Sequence, residues 1–139
     1  YVVSKWIPGL ITNFSTIKTR IKYLSDLRHQ EETGEFDKYT KKEISKLKKI
    51  IEKLQLSLGG VQNLTSRPDV LFVLDALRDR IVVKEARRLK IPVVGIVDTN
   101  ADPTIVDYPI PGNDDALKSL TYFIEKIKEV FQISGKAKQ

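Results

Sequence analysis

The sequence predicts an α/β protein in which part of a doubly wound parallel sheet carries an inserted antiparallel coiled-coil hairpin of helices. Two runs, residues 70–74 and 92–97, are almost continuously apolar and each is followed by an aspartate, which is typical of strands buried on both faces of a parallel sheet. The segment between them is long enough for the crossover helix that such strands require. The first half of the chain instead repeats apolar residues every three or four positions, the period of packed helices.

The first predicted elements are an extended stretch, a turn and a helix. Tyr1–Val3 resembles the end of a strand, and Pro8-Gly9 indicates a turn. Asn13 is a suitable N-cap for a helix that runs to about Glu32. The apolar side of this helix consists of Phe14, Ile17, Ile21 and Leu24.

A second helix completes the hairpin, which we place at residues 13–58. Thr40 and Glu43 form a capping-box pattern at its start. We expect the helix to end at Gly59-Gly60, where a glycine can adopt the left-handed conformation that closes helices. Its apolar side consists of Ile44, Leu47, Ile51, Leu54 and Leu58.

The α/β domain is predicted to comprise residues 1–12 and 59–133. Ile81–Leu89 is the expected crossover helix, residues 106–109 a third short strand, and a last helix begins near Asp114. The apolar side of that helix consists of Leu117, Leu120, Ile124, Ile127 and Phe131. Three or four strands make a thin sheet, so we expect further strands upstream, in agreement with the absence of Met. Residues 134–139 are polar and are expected to form a disordered tail.

The composition favours an acidic partner. Lys and Arg number 24 against 18 Asp and Glu, which gives a net charge of +6 and a pI near 9.5. The chain has no Cys and one His, so disulfides, thiol chemistry and a zinc site built from this chain alone are excluded. We find no signal-peptide pattern and no membrane-spanning run, and we expect an intracellular aqueous compartment.

Aspartates suggest an enzyme as an alternative. Asp75 and Asp98 end neighbouring strands, at the sheet edge where such folds bind ligands. Asp102, Asp107, Asp114 and Asp115 follow nearby. A Mg²⁺-dependent hydrolase uses such acids, but no phosphate-binding glycine loop accompanies them. We therefore favour roles in helix caps and turns. We expect the single histidine, His29, to be a solvated helix residue and not a catalytic base.

Basic side chains crowd both helices of the hairpin. They are Lys18, Arg20, Lys22 and Arg28 on the first helix, and Lys41, Lys42, Lys46, Lys48, Lys49 and Lys53 on the second. Such runs form either solvated faces or phosphate contacts, and phosphate contacts make binding depend on salt. Trp6 fits either internal packing or base stacking. A coiled-coil module that binds another protein is a third hypothesis.

Four stretches carry a resemblance to a known family. They are "KWIPGLITNFSTIKTRIKYL", "LGGVQNLTSRPDVLFVLD", "EARRLKIPVVGIVDTNADP" and "DYPIPGNDDALKSL". In order and spacing they resemble the bacterial-type small-subunit ribosomal protein two family, from Tyr1 to about Phe131. The family's usual Arg before Trp is Lys5 here, its Gly-Gly is Pro8-Gly9, and Ala101 stands where many relatives have Cys. The family pattern also has N-terminal strands that this sequence lacks.

The resemblance implies a flavodoxin-like partial sheet with a helical hairpin, and a structural constituent of the small ribosomal subunit in translation. It implies no catalytic activity and no cofactor or metal. The implied partners are small-subunit ribosomal RNA, neighbouring ribosomal proteins and the N-terminal segment of the same protein, with no membrane. The implied location is the ribosome, in bacterial cytoplasm or in a mitochondrial matrix or plastid stroma. The implied RNA-binding residues are Lys5, Trp6, Thr12, Asn13, Thr16, Lys18, Arg20, Lys22, Lys41, Lys42, Lys46 and Lys49.

Overall fold

A computed structural model describes residues 1–136. Its helices are α1 (Phe14–Glu32), α2 (Lys41–Leu58), α3 (Arg80–Leu89) and α4 (Leu117–Lys136), and its strands are β1 (Leu71–Val73), β2 (Val93–Val97) and β3 (Tyr108–Pro111). Internal packing divides the chain into two units, Tyr1–Pro68 and a second that begins at Asp69. Residues 1–12 and 59–68, which we expected to belong with the sheet, therefore lie in the same unit as the hairpin. The predicted limits of the hairpin and of the α/β domain stay a prediction.

The hairpin of α1 and α2 encloses an apolar core. Leu24, Leu27, Phe36 and Ile51 are buried in it, and Ile44, Leu47 and Leu54 pack against it half-buried. Burial of one such side chain contributes about 1.5–3 kcal/mol. The apolar periodicity predicted most of this core. Leu27 and Phe36 were not predicted, and Phe36 lies outside the helical pattern, in the short 3₁₀ turn Glu35–Lys38 between the helices.

The helix ends follow the sequence in part. The capping box is confirmed, because the Glu43 amide donates to Thr40 Oγ1 at 3.4 Å and the Thr40 amide donates to Glu43 Oε2 at 2.9 Å. Asn13 precedes α1 but its side chain does not cap the helix. Its Oδ1 accepts a hydrogen bond from the Thr16 hydroxyl at 2.9 Å instead.

The glycines after α2 act differently from the prediction. Gly59 has right-handed helical angles, φ −55° and ψ −39°, and begins a 3₁₀ turn, Gly59–Val61. The predicted left-handed closing conformation is therefore wrong. Gly60 is needed for another reason, because a Cβ there would collide with the backbone carbonyl of Tyr1.

Tyr1–Val3 is not a strand in this structure. The amino group of Tyr1 donates to the Gly60 carbonyl at 2.8 Å, and the Ser4 hydroxyl donates to the Leu56 carbonyl at 3.1 Å. The segment thus bonds to the end of α2 and to the turn after it. Among the described residues the sheet has three strands.

The second unit is a parallel sheet in the order β1-β2-β3. Leu71 pairs with Val93 and Gly95 with Pro109. Helix α3 connects β1 to β2 and buries Val82, Val83 and Ala86. The α/β prediction is confirmed, although β3 lies two residues later than expected. Just before it, the Asp107 amide donates to the Val93 carbonyl and the Asp107 side chain accepts from the Val93 amide.

Helix α4 differs most from expectation. It begins at Leu117 and not near Asp114, because Asn113 Oδ1 accepts from the amides of Asp115 and Ala116 in the preceding turn. Its predicted apolar side is only partly covered, and Leu117 is 79% and Phe131 71% exposed. The helix continues to Lys136, so residues 134–136 do not form the expected tail. The rest of that predicted tail, residues 137–139, lies outside the described residues.

Candidate nucleic-acid interface

The turn before α1 is fixed by buried residues. Gly9 has a φ of +91°, which favours glycine, and Leu10 and Ile11 are completely buried. The guanidinium of Arg67 donates to the Ile11 carbonyl at 3.1 Å. Of the predicted RNA-binding residues nearby, Lys5 and Asn13 are exposed, and Trp6 and Thr12 are half-buried. The turn therefore holds an exposed cation and the start of α1 in a defined arrangement.

The predicted residues on α1 do not share one face. Lys18 and Lys22 are four positions apart and lie on the same side of the helix. Arg20 is two positions from each, about 200° around the helix axis, and lies one turn from Thr16. All four are exposed. The structure thus divides this set into a lysine pair and a separate Thr16–Arg20 pair.

Helix α2 presents a row of four lysines opposite its buried side. Lys42, Lys46, Lys49 and Lys53 are spaced by four, three and four residues, and all are exposed. These spacings keep them on one face over roughly 16 Å. Within residues 1–136, none of the four forms a salt bridge, whereas Lys48 pairs with Glu31 at 3.5 Å. We call these four residues the lysine row.

The lysine row includes three predicted residues and one that the prediction omitted. Lys42, Lys46 and Lys49 were expected to bind RNA, and Lys53 extends their spacing by one more turn. Lys41 lies about 100° from Lys42, at the border of the row. The same three-four periodicity that placed the apolar residues would have identified Lys53.

A second basic face lies on α3, and the sequence analysis did not single it out. Arg80, Lys84, Arg87 and Arg88 are exposed on the side opposite the buried Val82, Val83 and Ala86. Arg80, Lys84 and Arg87 follow the four-three spacing of one helical face, and Arg88, four positions after Lys84, widens that face to about 100°. We call these four residues the α3 basic face.

The aspartates accept hydrogen bonds from the backbone. Asp75 accepts from the Arg78 amide at 2.7 Å, Asp98 from Thr99 at 2.6 Å and Asp107 from Val93 at 2.8 Å. Hydrogen bonds from the backbone of Thr99 and Thr104 lower the pKa of Asp98 and of Asp102, respectively. Among residues 1–136 no group of three or more His, Asp or Glu could hold a metal ion. The local contacts of Asp75, Asp98 and Asp102 match the cap and turn roles favoured from the sequence, whereas Asp107 bonds to the neighbouring strand β2.

His29 is exposed, as expected, and lines a polar cleft. The cleft has a volume of about 350 Å³ and lies between α1 and residues 62–63, with Arg28, Glu32, Gln62 and Asn63 among its lining residues. The cleft is open to solvent and is lined by side chains of both charges. These side chains do not form an arrangement of nucleophile, base and orienting group.

Comparison with known proteins decides the family. Residues 1–134 match the family described as Ribosomal protein S2. The chain belongs to the ribosomal protein S2 family. The small ribosomal subunit protein uS2 of a Nitratiruptor species is 47% identical over 136 residues, 98% of this chain and 51% of that protein. The same-named protein of Helicobacter hepaticus is 50% identical over 129 residues, 93% of this chain and 49% of that protein.

Membership in the S2 family confirms the resemblance found in the sequence. The uS2 protein of Campylobacter concisus is also 48% identical over 93% of this chain and 49% of its own length. The chain therefore spans about half the length of these S2 relatives. Within the described part of the chain, no helix combines the length and the apolar character that crossing a bilayer requires.

Proposed function

We propose that this chain serves as a structural constituent of the small ribosomal subunit and binds small-subunit ribosomal RNA through its helical hairpin, without catalysis. The lysine row on α2 is the observation that carries the proposal, because four exposed ammonium groups without a salt bridge in the described chain leave positive charge available. Membership in the S2 family, whose relatives are named as small-subunit ribosomal proteins, supports the choice of RNA.

The lysine row suits a phosphate backbone. Its ammonium groups follow each other at axial steps of roughly 4.5–6 Å, and each one that neutralises a phosphate releases condensed counterions. Lys18 and Lys22 supply two more cations on α1. Because structured RNA is read mainly by shape and backbone, this binding needs no base contacts.

The structure of the hairpin does not favour the hypothesis that this chain is a coiled-coil module that binds another protein. The apolar residues at the contact between its two helices are already used internally, and Leu24 is 1% and Ile51 8% exposed. A protein partner could not bind that side without opening the hairpin. The aspartates equally do not favour a Mg²⁺-dependent hydrolase, since Asp75, Asp98, Asp102 and Asp107 serve backbone amides.

The remaining parts of the proposal follow from the family. We place the protein on the ribosome in bacterial cytoplasm, because the compared relatives are bacterial. Neighbouring ribosomal proteins are its further partners. The portion of the relatives that this chain does not match is a partner as well, and supplies the additional strands of the sheet. No cofactor takes part.

The salt dependence of RNA binding tests the proposal. We expect Lys42→Gln with Lys46→Gln to reduce the slope of log affinity against log salt by roughly 1.5, on the rule of about 0.7–0.9 per phosphate contact. The probe is small-subunit ribosomal RNA transcribed in vitro. The matched control is Lys38→Gln with Lys48→Gln on the same hairpin, whose ammonium groups already pair with Glu35 and Glu31.

The control should reduce the slope by less than half as much. Circular dichroism verifies that each variant folds. Equal slopes for the parent chain and the Lys42–Lys46 variant would remove the lysine row from the RNA interface and leave the proposal without its main support.

A further inference from the structure

The α3 basic face begins with a charge that the stability of its own helix does not explain, whereas Arg87 and Arg88 lie in the last turn, where the helix dipole favours cations. Arg80 is the first residue of α3, and no acidic residue occupies the first turn. A cation at this end is opposed by the helix dipole. The Asp79 side chain at the N-cap position makes no capping hydrogen bond that would offset this.

The face is also free of acidic groups. Glu85 is the only acid within α3 and is 9% exposed. Among residues 1–136, Arg80, Lys84 and Arg88 form no salt bridge. Arg87 donates one hydrogen bond to the Thr104 carbonyl at 2.8 Å and keeps its remaining donors. Four basic side chains thus stand together without a salt bridge in the described chain, although Asp102 lies near enough to Arg87 for that charge to help lower the Asp102 pKa, after its hydrogen bonds with Thr104.

We infer that the α3 basic face is a second RNA-backbone contact, carried by the sheet unit and independent of the lysine row. This inference rests on the proposed function. The face extends roughly 12 Å along the helix, long enough to meet successive phosphates of one strand. Its three arginines have planar forks that suit bidentate phosphate contacts.

An acidic protein is the less suitable partner. Protein interfaces have an apolar or aromatic centre and a polar rim. The α3 basic face has no apolar residue at its centre, and Ile81, which is 38% exposed, lies at one edge, about 100° from Arg80 and on the same side as Arg88. Backbone recognition in RNA requires only cations and hydrogen-bond donors.

The test removes two charges from α3 and compares a control pair on α4 and one charge-retaining variant. We expect Lys84→Gln with Arg88→Gln to reduce the salt slope for in-vitro-transcribed small-subunit ribosomal RNA by roughly 1.5. The matched control is Lys118→Gln with Lys128→Gln, which removes the same charge from exposed positions of α4 in the same unit. It should change the slope by less than about 0.5. Arg88→Lys keeps the charge and should retain the parent slope.

Each possible outcome either supports or overturns the inference about the α3 basic face. The inference is overturned if the α3 pair leaves the slope unchanged, or if the α4 control reduces it equally, which would indicate diffuse net charge. It is also overturned if the α3 pair weakens binding of polyglutamate but not of RNA. Should the Lys42–Lys46 variant alone reduce the slope, the inference fails and the proposed function stands. If the α3 pair fails to fold, Lys84→Gln alone is measured and should reduce the slope by about half as much.

Discussion

Asp114 is a buried aspartate whose surroundings disfavour its negative charge. It is 7% exposed. Burial, and then the charges of Asp75, Asp98 and Asp115, raise its pKa above the usual 3.8. A carboxyl group whose pKa is raised in the folded state destabilises the fold once it is ionised in both states, and has no such effect below the unfolded pKa. Asp114 therefore costs stability at neutral pH.

We expect Asp114→Asn to raise the melting temperature at pH 7 by roughly 1–3 °C. The gain should shrink as the pH falls through the folded pKa and vanish near the unfolded value of 3.8. Thermal unfolding followed by circular dichroism between pH 3 and pH 7 measures it. Asp69→Asn, at an exposed position of the same unit, is the control and should show no gain. A gain that grows toward acid pH would contradict the assignment.

Single residues also show what the sequence could not reveal. Asn13 stands at the N-cap position, as its type predicts, but the Thr16 hydroxyl occupies its side-chain oxygen. Gly60 is required by the nearby backbone of Tyr1, 59 positions away in sequence. Local patterns identify residue types that suit a position, and only the folded chain shows which neighbour uses them.

At the scale of elements, periodicity predicted the helices and misjudged their surroundings. The three-four spacing located α1 and α2 and most of their shared core. On α4 the same spacing identified an apolar side, which is then largely exposed at Leu117 and Phe131. Periodicity reports that one side is apolar, and it does not report whether a neighbour covers that side. The predicted RNA-binding residues on α1 lie on two sides of the helix for a related reason. Residues that are close in sequence are not always neighbours around a helix.

The hairpin core can be tested by a matched pair on α2. We expect Ile51→Ala to destabilise the hairpin by about 2–5 kcal/mol, because it opens a cavity beside Leu24 and Leu27. Leu56→Ala, at a position 67% exposed on the same helix, should cost less than about 0.5 kcal/mol. Urea unfolding followed by far-UV circular dichroism compares the two. Similar losses for both would mean that the side of α2 assigned to the core is wrong.

For the whole molecule, the fold class and the family were readable from the sequence. The apolar runs before Asp75 and Asp98 became parallel neighbours, as their composition predicted. The α3 basic face was not predicted, because its basic residues alternate with apolar ones along a short crossover helix and form no run in the sequence. Both units thus present basic helical faces, and we propose the RNA backbone as the partner of each.

The central claim is that the chain is held on the small ribosomal subunit by charge. The most direct measurement is sedimentation of the tagged 139-residue chain with purified bacterial small subunits in magnesium-containing sucrose gradients. The account predicts comigration with the subunits at low salt, and release as the salt concentration rises. A chain that stays at the top of the gradient at every salt concentration, or that comigrates without release at high salt, would contradict it.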